Sequence, residues 1–171
     1  MSTLHVENLK GLSSGSNANK IIVPSGQTLD ASNGFVAPAG HVIQVVHQPF
    51  STSMNTSSTS FVTTGHSVTI TPKSSSSKIL ISVQGGSWYN QAGNAYVTIY
   101  RGSSNLADTN GLVMQENQPY IPHSFVYYDS PSTTNATTYT SYIRVSVNTV
   151  TTYYSFPTYG KMGMTAMEIA Q

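Results

Sequence analysis

From His41 onward, β-branched and aromatic residues alternate with polar ones in short runs broken by Gly, Pro, Ser and Thr. A period of two places successive side chains on opposite faces of an extended strand. The pattern predicts about eight strands, near Val42 to His47, Ser67 to Thr71, Lys78 to Val83, Tyr96 to Arg101, Ser124 to Asp129, Tyr139 to Val147, Val150 to Tyr154 and Met162 to Ile169. The clearest alternations are Ile79, Ile81, Val83 and Ile143, Val145, Val147, with mostly polar residues between them, so one face of each strand packs and the other is less covered. No segment carries an apolar stripe at helical spacing with a cap, and β-branched residues, Ser and Thr crowd every window. The expected fold is all-β, a jelly-roll-like antiparallel β-sandwich, because doubling the sheet manages edge strands that carry few protective charges. The Ser/Thr tracts Ser51 to Ser60 and Ser74 to Ser77 read as loops at the ends of that sandwich.

Residues 1–40 read differently. Short apolar pieces such as Lys20-Ile21-Ile22-Val23-Pro24 and Gly34-Phe35-Val36-Ala37-Pro38 are punctuated by Gly, Pro and Ser, and none can bury a face alone. A single extended chain would leave its backbone groups unpaired, which winding three such chains together would remedy. The alternative is a Ser/Gly-rich tail; Gly11 to Asn19 reads as a loop either way. The expected organisation is an N-terminal attachment or stalk segment, 1–40, and a C-terminal β-sandwich knob, 41–171.

Composition sharpens this picture. Of 171 residues, 8% are charged, against about 25% in an average soluble domain. Ser, Thr, Asn and Gln supply polarity without the Coulomb repulsion that keeps proteins apart, so self-association is favoured. Seven Lys and Arg are scattered, with a formal net charge of +1, and no basic stripe exists to release counterions from a phosphate backbone; nucleic acid is not an expected partner. No apolar run reaches the roughly 18 residues needed to cross a bilayer, so membrane insertion is not expected, and Met1 to Lys10 lacks the order of a signal peptide. A chain of this length needs no disulfide to fold, so the lack of Cys creates no stability problem.

Several stretches taken in order resemble small fibre-type virion proteins of tailed bacteriophages that infect marine bacteria and cyanobacteria. They are Pro24 to Ser32 (PSGQTLDAS), Val62 to Gly65 followed by Ser67 to Pro72, Lys78 to Ile81, Tyr100 to Leu106, Asp129-Ser130-Pro131 and Met167-Glu168-Ile169. The resemblance implies a homotrimer whose N-terminal segment joins other virion proteins and whose knob takes part in host attachment. The chain is shorter than many tail fibres and shows no large N-terminal attachment domain. Tail, baseplate and head locations therefore all stay open.

Catalytic chemistry is thinly supplied. Gly11-Leu12-Ser13-Ser14-Gly15 matches GxSxG, but that motif needs a core strand before it and a helix after it. The histidines, His5, His41, His47, His66 and His123, lack HxH or HxxxH spacing; His41 and His47 share one predicted strand, and a threefold axis could gather three imidazoles. The six carboxylates, Glu7, Asp30, Asp108, Glu116, Asp129 and Glu168, are well separated, and Asp30 reads as a turn former. No catalytic, metal or cofactor residue is assigned, and an enzyme is not expected.

Binding chemistry is richer. Gly85 to Asn94 (GGSWYNQAGN) reads as a Gly-bounded loop that places the sole Trp with Tyr and amides. Trp88, Tyr89, Asn90, Gln91 and Asn94 are therefore candidates for contact with a host surface glycan. The competing reading, favoured because large aromatics prefer buried positions, makes Trp88 and Tyr89 core or intersubunit residues. Adjacent Tyr127-Tyr128 and Tyr153-Tyr154 must divide between faces, and these four are the candidate trimer contacts, the outward member of each pair above all. The expected function is a trimeric tail-fibre-type virion protein for host attachment. A capsid decoration, cement or head-fibre protein is the first alternative, and a lectin-like carbohydrate-binding domain the second.

Overall fold

A computed structural model describes residues 9–11, 13–28, 36–90, 93–116, 120–155 and 160–171 of the chain, with the backbone alone for Ser87, Tyr89, Asn90 and His123. It divides into two compact units, Met1–Val36 and Ala37–Gln171. In the first, the described residues form turns. Pro24 to Gln27 close one through a Gln27 N–H bond to the Pro24 carbonyl at 3.0 Å, with Gly26 at φ +82° in the position that a type II turn reserves for glycine. Ser13 lies in a bend, and no strand or helix flanks it among the described residues, so the strained elbow that GxSxG requires is not built there.

The second unit is all-β and antiparallel, with no helix among its described residues. Its strands are β1 (Val42–Phe50), β2 (Met54–Thr56), β3 (Val62–Ile70), β4 (Lys78–Asn90), β5 (Asn94–Arg101), β6 (Ser104–Asn105), β7 (Val113–Glu116), β8 (Ile121–Asp129), β9 (Thr137–Val145), β10 (Thr152–Tyr154) and β11 (Met162–Ile169). Sheet one orders β1, β11 and β4; β11 and β8 both pair with residues 79–85 of β4, so they occupy its two sides. The short β10 and β2 extend the far end of β4. Sheet two orders β3, β9 and β5, with β6 and β7 sharing the outer side of β5.

Eight of these strands have four residues or more. Numbered among themselves along the chain, they run first, eighth, third, sixth in one sheet and second, seventh, fourth, fifth in the other. That order is the double Greek key of a jelly roll. The two sheets close on one core, including Val68, Ile70, Ile79, Ile81, Val83, Val97, Ile99, Ile143, Val145 and Met164. The apolar alternation of the sequence thus becomes the inner faces of both layers.

Four expectations need correction. The tract 51–60 is not wholly loop, since β2 forms within it and pairs with β10. Val147 is exposed, because β9 ends at Val145 and residues 146–150 turn away. The strand expected from Val150 is confined to Thr152–Tyr154. Finally, residues 85–90 of the stretch expected as a loop are strand, since β4 continues to Asn90. Gly85 and Gly86 form a bulge there, with φ +88° and +65°; three residues of β4 advance against two of β8 between the pairs Gly85↔His123 and Trp88↔Ile121. One extra residue reverses which face each later side chain meets. Odd-numbered Ile79, Ile81 and Val83 point inward before the bulge, and even-numbered Trp88 points inward after it. Only glycine fits: a Cβ at Gly86 would lie 2.1 Å from Met162 Cγ, and one at Gly85 2.4 Å from the Lys161 carbonyl oxygen.

Candidate functional site

Within the glycan patch expected from Trp88 to Asn94, Trp88 is not at the surface. Trp88 is 0% exposed, and its indole N–H donates to Thr152 Oγ1 at 2.7 Å inside the core. A sugar cannot reach it, and Trp88 takes the core role that the competing reading gave it. Asn94 is half-buried at the start of β5, its N–H donating to Ser146 Oγ at 3.1 Å. Gln91 lies outside the described residues, as do the side chains of Tyr89 and Asn90.

The tyrosine pairs divide as alternation requires. Tyr128 is outward and half-exposed, while Tyr127 packs against the core margin. Tyr153 is half-buried, but Tyr154 is 0% exposed and cannot meet another subunit, which corrects its candidacy as a trimer contact. Its hydroxyl lies 3.0 Å from His66 Nδ1. His66 stacks on Phe50 at 4.6 Å, and its Nε2 faces the Gln48 carbonyl at 3.5 Å. With Nε2–H as donor to Gln48, Nδ1 accepts from Tyr154, so the imidazole is neutral. Burial pushes the His66 pKa down to about 4, opposed by the Gln48 bond and reinforced by nearby His47.

Two carboxylates considered for chemistry hold the sandwich together instead. Buried Asp129, at the end of β8, accepts both bonds at 2.8 Å from Arg101 Nη1 and one at 2.7 Å from the Tyr139 hydroxyl, which ties three strands. Burial, and then that bond, raise the Tyr139 pKa. Glu168 is 0% exposed in β11. Its Oε1 accepts the Lys73 and Ser74 N–H groups at 2.7 and 3.3 Å, and its Oε2 accepts Gln44 Nε2 at 2.6 Å. Burial alone would raise its pKa, but these donors hold it below the ordinary carboxylate value. No motif signals the structural role of either residue; Glu168 shares the inward parity of Met162, Met164 and Ala166. His41, placed before β1, contacts the Pro38 carbonyl, and His47 contacts Thr165 Oγ1 at 2.9 Å. No group of three His, Asp or Glu side chains is placed to hold a metal ion among the described residues.

The outward faces of the two sheets carry different chemistry. On sheet one, the register aligns Val45, Met167, Leu80 and Tyr128 directly across β1, β11, β4 and β8. Val126 stands beside Tyr128, and Val42 pairs with Ile169 at the near end of the same face. Val45, Val126, Val42 and Tyr128 are 51–56% exposed. This is an apolar row spanning four strands, with Lys78 as its flanking charge.

Sheet two instead carries a cleft of about 690 Å³ whose lining includes Ser60, Phe61, Tyr100, Asp108, Thr109 and Arg144. Alternation along β5 turns Tyr96 and Tyr100 outward, and along β9 Tyr142 and Arg144. Tyr96 lies opposite Arg144, whose guanidinium carbon sits 3.9 Å from the Tyr96 ring centroid and 5.3 Å from that of Phe61. Tyr100 stacks on Tyr142 at 3.9 Å and meets Phe61 edge-on at 6.4 Å.

The loop between β6 and β7 is the cleft's polar wall. Arg144 Nη2 and Nε donate to the Thr109 carbonyl at 2.7 and 3.2 Å. Asn105 Oδ1 accepts Thr98 Oγ1 and Ala107 N–H, while its Nδ2 donates to the Asp108 carbonyl. Gly111, at φ +73°, lets the loop turn where a Cβ would stand 2.5 Å from the Val97 carbonyl oxygen. The wall is thus fixed before any ligand arrives. No family model matches the chain, and no curated protein matches it.

Proposed function

We propose that this chain is a non-enzymatic, homotrimeric structural protein of a tailed-bacteriophage virion, of tail-fibre type, which takes part in host attachment. The observation that carries the reading is the apolar row Val45, Met167, Leu80, Tyr128 on an outward sheet face of a charge-poor jelly roll. Four strands at about 4.8 Å spacing and eight residues at about 3.4 Å rise make a flat area on the order of 500 Å². Side-chain relief brings that near the ~800 Å² per partner of a standard protein interface. With few charges to repel, a second copy is the occupant that fits this face, and a contact repeated by threefold rotation closes into a trimer. The N-terminal unit then joins the chain to other virion proteins, in the particle rather than the cell. A decoration, cement or head-fibre role uses the same trimer; a lectin-like domain is favoured by the sheet-two cleft.

Light scattering tests the assembly. A trimer of 18.3 kDa chains has a mass of about 55 kDa. Val126→Lys with Tyr128→Arg should reduce it to a folded monomer, since charges buried in the contact without partners are costly. A monomeric unmodified chain refutes the fibre reading.

A further inference from the structure

We infer that the sheet-two cleft is a saccharide site, with Phe61 and Tyr100 as the platform for a neutral pyranose ring and Asp108 as acceptor for its hydroxyls. This names a ligand class for the attachment half of the proposed function, and it replaces the buried Trp88 as the place where a glycan is met. The cleft's volume, about 690 Å³, lies within the range of small-molecule sites. Its composition is the one sugars require: aromatic surface for the C–H faces of the ring, with polar groups beside it for the hydroxyls.

The rings are held by their neighbours. Tyr142 stacks against Tyr100, and Arg144 lies over Phe61. Arg144 spends its Nε and Nη2 donors on the Thr109 carbonyl and Nη1 on the Val145 carbonyl. Three of its five N–H donors are thus held by carbonyls, which makes it a brace, and the exposed Asp108 carboxylate at the rim repels an acidic sugar, which is why the site is assigned to neutral ones. Asp108 is exposed; its Oδ1 accepts the Asn110 N–H at 2.7 Å, which orients the carboxylate at the rim. Because the wall is braced before binding, little ordering cost falls on a small ligand. A methyl pyranoside of about 13 heavy atoms, at the efficiency of drug-sized ligands, then binds with a Kd on the order of 1 mM.

The test is saturation-transfer NMR on the full chain with the methyl pyranosides of glucose, galactose, mannose and N-acetylglucosamine. Transfer to the C–H protons of at least one is expected, weakened about tenfold by Phe61→Ala and about threefold by Asp108→Asn, which keeps the Oδ1 turn bond. Thr134→Ala, in the exposed β8–β9 loop, should leave it unchanged. Trp88 fluorescence reports that each variant is folded. No transfer from any of the four sugars overturns the assignment, as does transfer that survives both cleft variants at full strength. Light scattering on the same samples separates the two readings. A monomer that binds sugar refutes the fibre and leaves the site standing, whereas a trimer that binds none does the reverse.

Discussion

Acidification should loosen the sandwich through one side chain, His66. The imidazole is 0% exposed, its pKa pushed down from 6.5 to about 4 by burial. An unfolded chain takes up the proton near pH 6.5, and the folded one refuses it until about pH 4. Across that window the unfolded state binds more protons, so stability falls as pH falls. It is fully present above the unfolded value and lost progressively down to the folded one. One proton over this interval corresponds to about 2–3 kcal/mol, a large part of a typical domain's ~5–15 kcal/mol. Glu168 does not mask the effect. It is held below its ordinary 4.5, so its own contribution is present above that value and is lost progressively from there down to its lower folded one. Urea unfolding followed by the fluorescence of Trp88, the sole tryptophan, at several pH values between about 7 and about 4.5 measures the slope. His66→Gln keeps a donor and an acceptor but cannot titrate; it should lower stability modestly at neutral pH and flatten the slope. An unmodified chain whose stability is level from about pH 7 to about pH 5 would falsify the reasoning, as would an unchanged slope in the variant.

Two substitutions test the buried carboxylates. Asp129→Ala removes the acceptor of the buried Tyr139 hydroxyl and of Arg101, whose side chain is 33% exposed, and should cost about 1–3 kcal/mol in urea unfolding; a loss under about 0.5 kcal/mol would show that the three-strand tie is dispensable. Glu168→Gln removes the charge that accepts the Lys73 and Ser74 N–H groups and should cost about 2 kcal/mol. It should also raise hydrogen exchange in residues 71–77; exchange left as it was would place the anchor of that turn elsewhere.

The layers of this fold were legible because period-two alternation survives wherever the backbone is regular. Ile79, Ile81 and Val83 on β4 and Ile143 and Val145 on β9 needed nothing beyond parity to be placed inward. What parity cannot show is where it resets. The Gly85–Gly86 bulge shifts the phase by one residue and converts a patch that reads as a presented loop into core strand. Gly65, at φ +76°, interrupts the β3–β9 pairing differently: four residues of β3 advance against two of β9 between Thr63↔Tyr142 and Ser67↔Thr140, and because two extra residues keep the parity, Thr64, His66, Val68 and Ile70 all stay buried. In both places the glycine is the readable signal, and the partner strand that gives it meaning is distant in sequence. The aromatic cleft was illegible for a related reason. Phe61, Tyr100 and Arg144 come from separate segments, and only the β3–β9 and β5–β9 registers bring them together. Glu168 was available to a stricter reading, since its parity with Met164 and Ala166 puts a charge on a buried face. A buried charge demands donors, and the turn after β3 supplies them.

The two outward faces bear on one another through valency. If copies cover the apolar row of sheet one, the face of sheet two is the broad surface each subunit still presents, and a trimer then carries three clefts. A single cleft with a Kd on the order of 1 mM would hold nothing on a dilute particle. Linking sites converts the later binding events into intramolecular ones, and avidity can exceed the single-site affinity by about 10²–10⁴. A shallow site assembled from two rings and a braced loop is therefore adequate for attachment only if the apolar row assembles the subunits. The Val126→Lys, Tyr128→Arg chain, with charges introduced into the row, separates the two contributions. It should bind a methyl pyranoside as the unmodified chain does, yet lose retention on a surface densely coated with the same sugar. Equal retention of monomer and trimer on that surface would show that assembly adds nothing to binding.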